Sequence, residues 1–345
     1  MPMDMQTAIR VLLDQQSLDA HEMEDVIELI MIGQATQAQI GGFLVALRMK
    51  GEVVQEIVGA ARAMRKLVKQ VDCGDIPYLV DTCGTGGDGQ HLFNVSTASA
   101  FVVAAVGGHV AKHGNRSVSS SSGSADLLEA AGANLALTAQ EVARCVREVG
   151  FGFMFAPQHH EAMKHAVGPR RELGVRTVFN LLGPLTNPAG APNAVLGVYG
   201  RQWLRPVADV CDELGQQHVF VVHSADGLDE ISIAAETHVA ELHNGAIHEY
   251  VIRPEDFGMV RSPIDSLRAH NAQESLAIIQ AALDRGKGPA ADIIALNAGA
   301  AICAAGLCAS LRAGVEMAQD AIATGMAREK FEEYLHVTRL LKKHS

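Results

Sequence analysis

Hydrophobic residues follow two different rhythms along this chain. Up to about residue 70 they recur at helical spacing. Ile40, Phe43, Leu44 and Leu47 stand at i, i+3, i+4 and i+7, which paints one face of a helix. Thr36 is the expected N-cap of that helix, and Gly33 and Gly51 punctuate the segment. Nothing in this part carries candidate chemistry. After Cys73-Gly74-Asp75 the rhythm changes. Tyr78-Leu79-Val80 is a short apolar run that ends in a Gly-rich loop. A helix is expected over residues 97–106 and a second strand at His109-Val110-Ala111. Further short apolar runs cover residues 151–155, 196–199 and 218–222, and helical stretches separate most of them. Strands alternating with helices predict βαβ units and a largely parallel sheet. The segment 171–186 is expected to return to the helical N-terminal part. Residues 231–252 are expected to form several short, partly antiparallel strands.

Length and composition narrow the picture. The 345 residues suit two domains, or one large domain with an appendage. A hydrophobic content of 48% is ample for a full core, so disorder is not expected. The formal net charge of -11 repels nucleic acid, and 4% aromatic residues provide few stacking platforms. Cys73, Cys83, Cys145, Cys211, Cys303 and Cys308 show no metal-binding spacing, and buried free thiols in a reducing compartment are expected. The start, Met1-Pro2-Met3-Asp4, is not expected to be a signal peptide. Residues 293–311 lack charge but are mostly alanine, interrupted by Asn297, Gly299, Gly306 and Ser310. A packed interior helix is expected there rather than a membrane span, and a cytoplasmic location follows.

The candidate chemistry begins at Asp81-Thr82-Cys83-Gly84-Thr85-Gly86-Gly87-Asp88-Gly89. Gly84-x-Gly86-x-x-Gly89 formally matches the dinucleotide fingerprint. The acid expected about twenty residues on is missing, and the region around Lys112-His113 is basic instead. A Walker A reading fails too, because Gln90 and His91 follow Gly89. Asp88 would repel a bare phosphate, so a cation or a ribose hydroxyl is expected to mediate. A ligand-free connection is the plain alternative, but four glycines in six residues cost folding entropy.

Other segments point the same way. Asn94-Val95-Ser96-Thr97 opens the next helix, where N–H groups and hydroxyls bind phosphate and a hydroxyl can ligate Mg²⁺. On its own this stretch is an ordinary N-cap. Lys112-His113-Gly114-Asn115-Arg116-Ser117-Val118-Ser119-Ser120 gathers cations, an amide and hydroxyls around a glycine, as an anion site or as a solvated loop. Ser122-Gly123-Ser124 continues it. Asp229-Glu230 can offer oxygen ligands to Mg²⁺. Lys164, His165, Arg170, Arg171 and Arg176 crowd a short stretch of an acidic chain. Such local basicity suits a small anion, and the planar arginine fork suits a carboxylate. For most of these, surface exposure is the simpler explanation.

Taken together, the motifs resemble the anthranilate phosphoribosyltransferase family, within the nucleoside-phosphorylase-like phosphoribosyltransferase class. Gly84-Thr85-Gly86-Gly87-Asp88-Gly89, Asn94-Val95-Ser96-Thr97, Lys112-His113-Gly114-Asn115-Arg116, Ser122-Gly123-Ser124-Ala125-Asp126, Phe179-Asn180-Leu181-Leu182-Gly183-Pro184-Leu185-Thr186-Asn187-Pro188 and Asp226-Gly227-Leu228-Asp229-Glu230 run in family order. The resemblance implies an α/β fold with a small helical domain, a larger α/β domain with a mostly parallel central sheet, and a substrate cleft at the hinge. It places residues 1–70 and about 165–190 in the helical domain, which would form a homodimer. Residues 71–164 and 191–345 would form the phosphoribosyl-pyrophosphate-binding domain. It also implies transfer of the 5-phosphoribosyl group from phosphoribosyl pyrophosphate to anthranilate, with Mg²⁺, in tryptophan biosynthesis.

By the same resemblance, Gly84, Gly87, Asp88, Asn94, Val95, Ser96 and Thr97 would hold phosphoribosyl pyrophosphate. Lys112, His113, Gly114, Asn115, Arg116, Ser117, Val118, Ser119, Ser120 and Ser124 would complete that site. Ser96, Asp229 and Glu230 would ligate Mg²⁺. Asn115 and Arg170 would bind anthranilate, with His160 lining its channel, and Lys112, Asn115 and Arg170 would act at the reacting groups. Leu92, Ser121 and Glu161 depart from the usual pattern, where Thr, Lys and Pro are common, and none touches the metal ligands. The chain shows no nucleophile–His–acid arrangement and no Gly-x-Ser-x-Gly elbow, which fits catalysis by positioning and charge neutralisation. Two other readings compete: a pyrimidine nucleoside phosphorylase-like enzyme, and a non-catalytic nucleic-acid-binding relative. Asp88 and Lys112-His113-Gly114-Asn115 favour the transferase over the first, and the net charge of -11 opposes the second.

Overall fold

The computed structural model describes residues 2–116 and 122–341. Four helices open the chain: Met5–Leu13, Ala20–Met31, Gln37–Lys50 and Val54–Leu67. The third starts where the sequence places its cap. The Gln39 N–H donates to Thr36 Oγ1 at 3.2 Å, and the Thr36 N–H donates back to Gln39 Oε1 at 2.9 Å. Ile40, Phe43, Leu44 and Leu47 are all buried on its inner face. Two later helices, Lys164–Leu173 and Phe179–Leu185, join this group. Ala166, Phe179 and Leu182 share one core with Met23, Ile27 and Phe43.

The rest of the chain builds around one seven-stranded sheet. Its strands are β1 (Leu79–Gly84), β2 (His109–Gly114), β3 (Phe151–Phe155), β4 (Asn193–Gly197), β5 (His218–Ser224), β6 (Thr237–His243) and β7 (Ala246–Ile252). Their spatial order is β3-β2-β1-β4-β5-β6-β7. Neighbours from β3 to β5 are parallel, and β6 and β7 run antiparallel. The antiparallel part consists of two seven-residue strands, longer than the short pieces expected. Asn244 and Gly245 join them with φ of 51° and 78°. That two-residue turn matches the twist of the flanking strands, so both can extend.

Side-chain alternation divides the two cores. Val219 and Val221 of β5 face the helical group, whereas Phe220 and Val222 face the other side. There they meet the helices Val95–Ala105, Pro289–Ala304 and Met326–Leu341. The uncharged stretch 293–311 is interior helix only as far as Ala304, within the helix Pro289–Ala304. Asn297 at its centre accepts from the Ile231 N–H and donates to the Ile231 and Ile293 carbonyls, each at 2.9 Å. No helix among the described residues is long and apolar enough to cross a membrane.

Candidate active site

In a parallel sheet the ligand site lies beyond the carboxyl ends of the strands, where the winding reverses. Here the reversal falls between β1 and β4. The Gly-rich loop leaves β1 at this point. Gly86, Gly87 and Gly89 take φ of 65°, 75° and 73°, a left-handed backbone that suits glycine. The Thr85 N–H donates to the Gly197 carbonyl at 2.9 Å, and the Tyr199 N–H donates to Thr85 Oγ1 at 3.0 Å. The Gly86 N–H donates to Asp229 Oδ2 at 2.7 Å. Arg176 donates to the Gly87 carbonyl, and its guanidinium lies 4.4 Å from the Tyr199 ring centre.

Two strand-end glycines admit the acidic turn. A Cβ on Gly84 would stand 2.6 Å from Asp229 Oδ2, and one on Gly197 only 1.6 Å from the Asp229 carbonyl oxygen. The turn is fixed from behind by Ser224 Oγ, which donates to the Glu230 carbonyl at 2.6 Å, and by Ser232 Oγ, which donates to Asp226 Oδ2 at 2.6 Å. Glu230 Oε1 accepts the Ser96 N–H at 3.2 Å. Burial, then the carboxylate of Asp88, raises the Asp229 carboxyl well above its ordinary value. Burial, then Asp229, pushes Glu230 up to about 8, although Lys112 opposes the shift. Desolvated carboxyls that repel each other this way are suited to sharing a cation. The donors are all oxygen, as Mg²⁺ requires.

Lys112, His113 and Gly114 belong to β2 rather than to a loop after it. Pairing with β3 carries the strand as far as Gly114↔Phe155. Lys112 is 1% exposed. Its ammonium donates to the Thr82 carbonyl and to Ser96 Oγ at 3.2 Å. Asp81, also buried, accepts from Asn187 Nδ2 at 2.6 Å and from the His113 N–H at 3.4 Å. Burial pushes the Asp81 carboxyl up to about 6, against the pull of Lys112.

Asn94 stands at the N-cap position but does not cap the helix with its side chain. Its Nδ2 donates to the Ser122 carbonyl at 3.0 Å, and its Oδ1 accepts from Ser275 Oγ at 2.8 Å. Thr97 Oγ1 donates to Ser124 Oγ at 3.2 Å. Asn115 is exposed, with its Oδ1 accepting the Arg116 N–H at 2.7 Å. Arg116 turns to Asp126 at 3.1 Å and Glu129 at 2.7 Å. On the other side of β2, the His113 and His160 rings lie 4.9 Å apart. Both are buried, and neither Nε2 has a hydrogen-bond partner among the described residues. Burial, then His160, pushes His113 down to about 3, while burial and His159 push His160 down to about 4. Arg170 is half-buried against the Phe179 ring at 5.2 Å and makes no ion pair among the described residues.

Two glycosyl transferase family models match the chain: the helical bundle domain over residues 6–68 and the a/b domain over residues 77–328. The anthranilate phosphoribosyltransferase of Hahella chejuensis is 61% identical over 335 residues, covering 96% of each chain. That of Cellvibrio japonicus is 59% identical over 344 residues, covering 99% of this chain and 100% of the relative. The chain belongs to the anthranilate phosphoribosyltransferase family. Among solved structures, the Thermus thermophilus anthranilate phosphoribosyltransferase superposes with a TM-score of 0.91 at 43% identity, covering 96% of this chain and 99% of that one. The Saccharomyces cerevisiae enzyme, solved in complex with PRPP and Mg, gives 0.88 at 26% identity, covering 97% and 98%.

Against the motifs shared with anthranilate phosphoribosyltransferases, the structure gathers Gly84, Gly87, Asp88, Ser96, Lys112, Asp229 and Glu230 around one strand-end site. Asn94, Thr97 and Ser124 brace the segments beside it. Val95 begins the adjoining helix with its side chain in the core. Gly114 ends β2 next to it. His113 and His160 lie together on the other side of β2, and Arg170 lies against the Phe179 ring. Ser117, Val118, Ser119 and Ser120 lie outside the described residues, as does Ser121. Sequence reasoning placed Asp81, Thr82 and Asn187 within its motifs but gave them no role of their own, and it gave none to Gly197 or Asn297. Asn297 carried a signal, being a lone amide in an apolar helix. Gly197 carried none, since its need arises from a turn thirty-two positions later.

Proposed function

We propose that the protein transfers the 5-phosphoribosyl group of phosphoribosyl pyrophosphate to the amine of anthranilate, releasing pyrophosphate. The observation that carries this reading is the half-buried set of Asp229, Glu230 and Ser96 beside Lys112 at the sheet's switch point. Ser96, Asp229 and Glu230 would hold Mg²⁺, which when bound neutralises the leaving pyrophosphate. The loop N–H groups and the Lys112 ammonium supply further positive potential there, fixed in place before the substrate arrives. An aromatic amine is already a nucleophile at neutral pH. Cleavage of the bond from the ribose carbon to pyrophosphate is the demanding event, and the formation of the new C–N bond follows from positioning.

Arg170 supports anthranilate as the acceptor. Burial lowers its pKa, and a substrate carboxylate would relieve that penalty while matching the guanidinium fork. The unpartnered Nε2 atoms of His113 and His160 offer further polar contacts. Residues 1–70 with about 165–190 act in this reading as the helical domain, which meets a second copy. Leu13, Ile32, Val45 and Met49, in or beside the N-terminal helices, are 66%, 52%, 37% and 77% exposed, which supports a homodimer through this part. A cytoplasmic location accords with the six free cysteines.

The direct test mixes protein, anthranilate, phosphoribosyl pyrophosphate and Mg²⁺ and follows anthranilate fluorescence. Loss of signal that requires all three additions is expected. Unchanged fluorescence, with phosphorolysis of a pyrimidine nucleoside instead, would overturn the assignment.

A further inference from the structure

At the opposite end of the sheet, three ligand-bearing side chains converge. His218 opens β5 and pairs directly with His243, which closes β6. Period-two alternation puts Glu241 on the same face as both. The two imidazoles stack with centroids 4.2 Å apart, and His218 Nε2 lies 2.8 Å from Glu241 Oε1. One ligand atom from each residue lies within 4.8 Å of the other two. Elsewhere this face is apolar, with Phe220, Val222 and Val239 in the core. The polar trio therefore interrupts a hydrophobic pattern.

Simple satisfaction of a half-buried carboxylate does not account for all of it. Glu241 already accepts from the Tyr250 hydroxyl at 2.7 Å through Oε2, in addition to His218. The His243 side chain makes no hydrogen bond among the described residues, and the residue is exposed. The trio borders a cavity of about 310 Å³ that Cys303 and Cys308 also line.

We propose that His218, Glu241 and His243 form a binding site for a divalent transition metal, with Zn²⁺ the best match. Two imidazoles and one carboxylate are the donor set that such an ion takes, leaving a fourth position open to the cavity. Bonds of about 2.0–2.2 Å place tetrahedral ligand atoms roughly 3.4 Å apart. His218 and Glu241 must part slightly and His243 must close in, movements within side-chain reach. Tyr250 orients the carboxylate from behind, as outer partners of metal ligands do. Exposed His243 provides the entry path. Mg²⁺ prefers oxygen alone, so the two ends of the sheet select different ions. The six residue steps from His218 to Ser224 separate them by about 20 Å.

The test uses the full-length protein, stripped with a chelator and then saturated with Mg²⁺ and phosphoribosyl pyrophosphate to occupy the catalytic acids. Calorimetric titration with ZnCl₂ alone should show one equivalent bound at micromolar affinity or tighter. His243→Ala and Glu241→Gln should each weaken it at least about 10-fold, with Tyr250→Phe weakening it less. His243→Ala should keep the parental melting temperature and anthranilate turnover, since the residue is exposed and remote. Co²⁺ should give visible absorption bands that the same variant loses. Binding no tighter than millimolar overturns the proposal. So does zinc binding that persists in His243→Ala but disappears in Asp229→Asn.

Discussion

Gly197→Ala tests the architecture of the candidate site with a single methyl group. Gly197 ends β4 in a backbone conformation that alanine also adopts, so the effect is steric. The new Cβ would lie 1.6 Å from the Asp229 carbonyl oxygen and 2.6 Å from its carbon. Reaching even the 3.0 Å below which such contacts essentially never occur means a retreat of 1.4 Å by the turn or the strand. Bonds from Ser224 and Asn297 tie the turn down, and β4 is central in the sheet. Overpacking of this kind costs about 1–3 kcal/mol of stability. The larger effect should be chemical, because Asp229 Oδ2 would lose its 2.7 Å bond from the Gly86 N–H. A displacement of about 1 Å can cost about 10²-fold in rate. We expect kcat/KM to fall by about that factor, with a higher Mg²⁺ requirement, in a protein that still melts cooperatively. Anthranilate fluorescence across a Mg²⁺ titration, beside a thermal melt, measures both. Parental kcat/KM with an unshifted Mg²⁺ curve would refute the claim that the two strand-end glycines seat the acidic turn.

Three further outcomes are expected. Lys112→Ala should lower turnover by about 10²–10³-fold, the usual cost of losing one preorganised donor; near-parental turnover removes Lys112 from the mechanism. Arg170→Ala should raise the KM for anthranilate with little change for phosphoribosyl pyrophosphate, and the reverse pattern would move Arg170 to the other substrate. His160 is held neutral, its folded pKa pushed by burial from 6.5 to about 4. Its stabilising contribution is thus full above the unfolded pKa and lost as pH falls towards the folded one, by about 2 kcal/mol from about pH 7 to about pH 5. Denaturant melts of ligand-free His160→Gln should show a correspondingly smaller acid loss, and an equal loss in both proteins would contradict burial of a neutral ring.

Local order was written in the sequence. The helix over Gln37–Lys50, with its Thr36 cap, and the Gly-rich loop followed from spacing and residue type, because both depend on neighbours a few positions away. So did the alternation of strands and helices that makes the sheet parallel. Asn244-Gly245 was equally local and announced the β6–β7 hairpin, yet the segment was expected to break into shorter pieces. The candidate metal ligands could be named by motif, but their working environment could not. Asp81 meets Asn187 across 106 positions, and Ser96 meets Glu230 across 134. Arg116 has the composition of a phosphate binder, while the fold gives it Asp126 and Glu129 instead. Gly197 carries no motif at all and matters only because a distant turn lies on it. The strand order decided these things. It brings the carboxyl ends of β1, β2, β4 and β5 together, and burial at that junction raises the pKa of Asp81, Asp229 and Glu230 beside the Lys112 side chain.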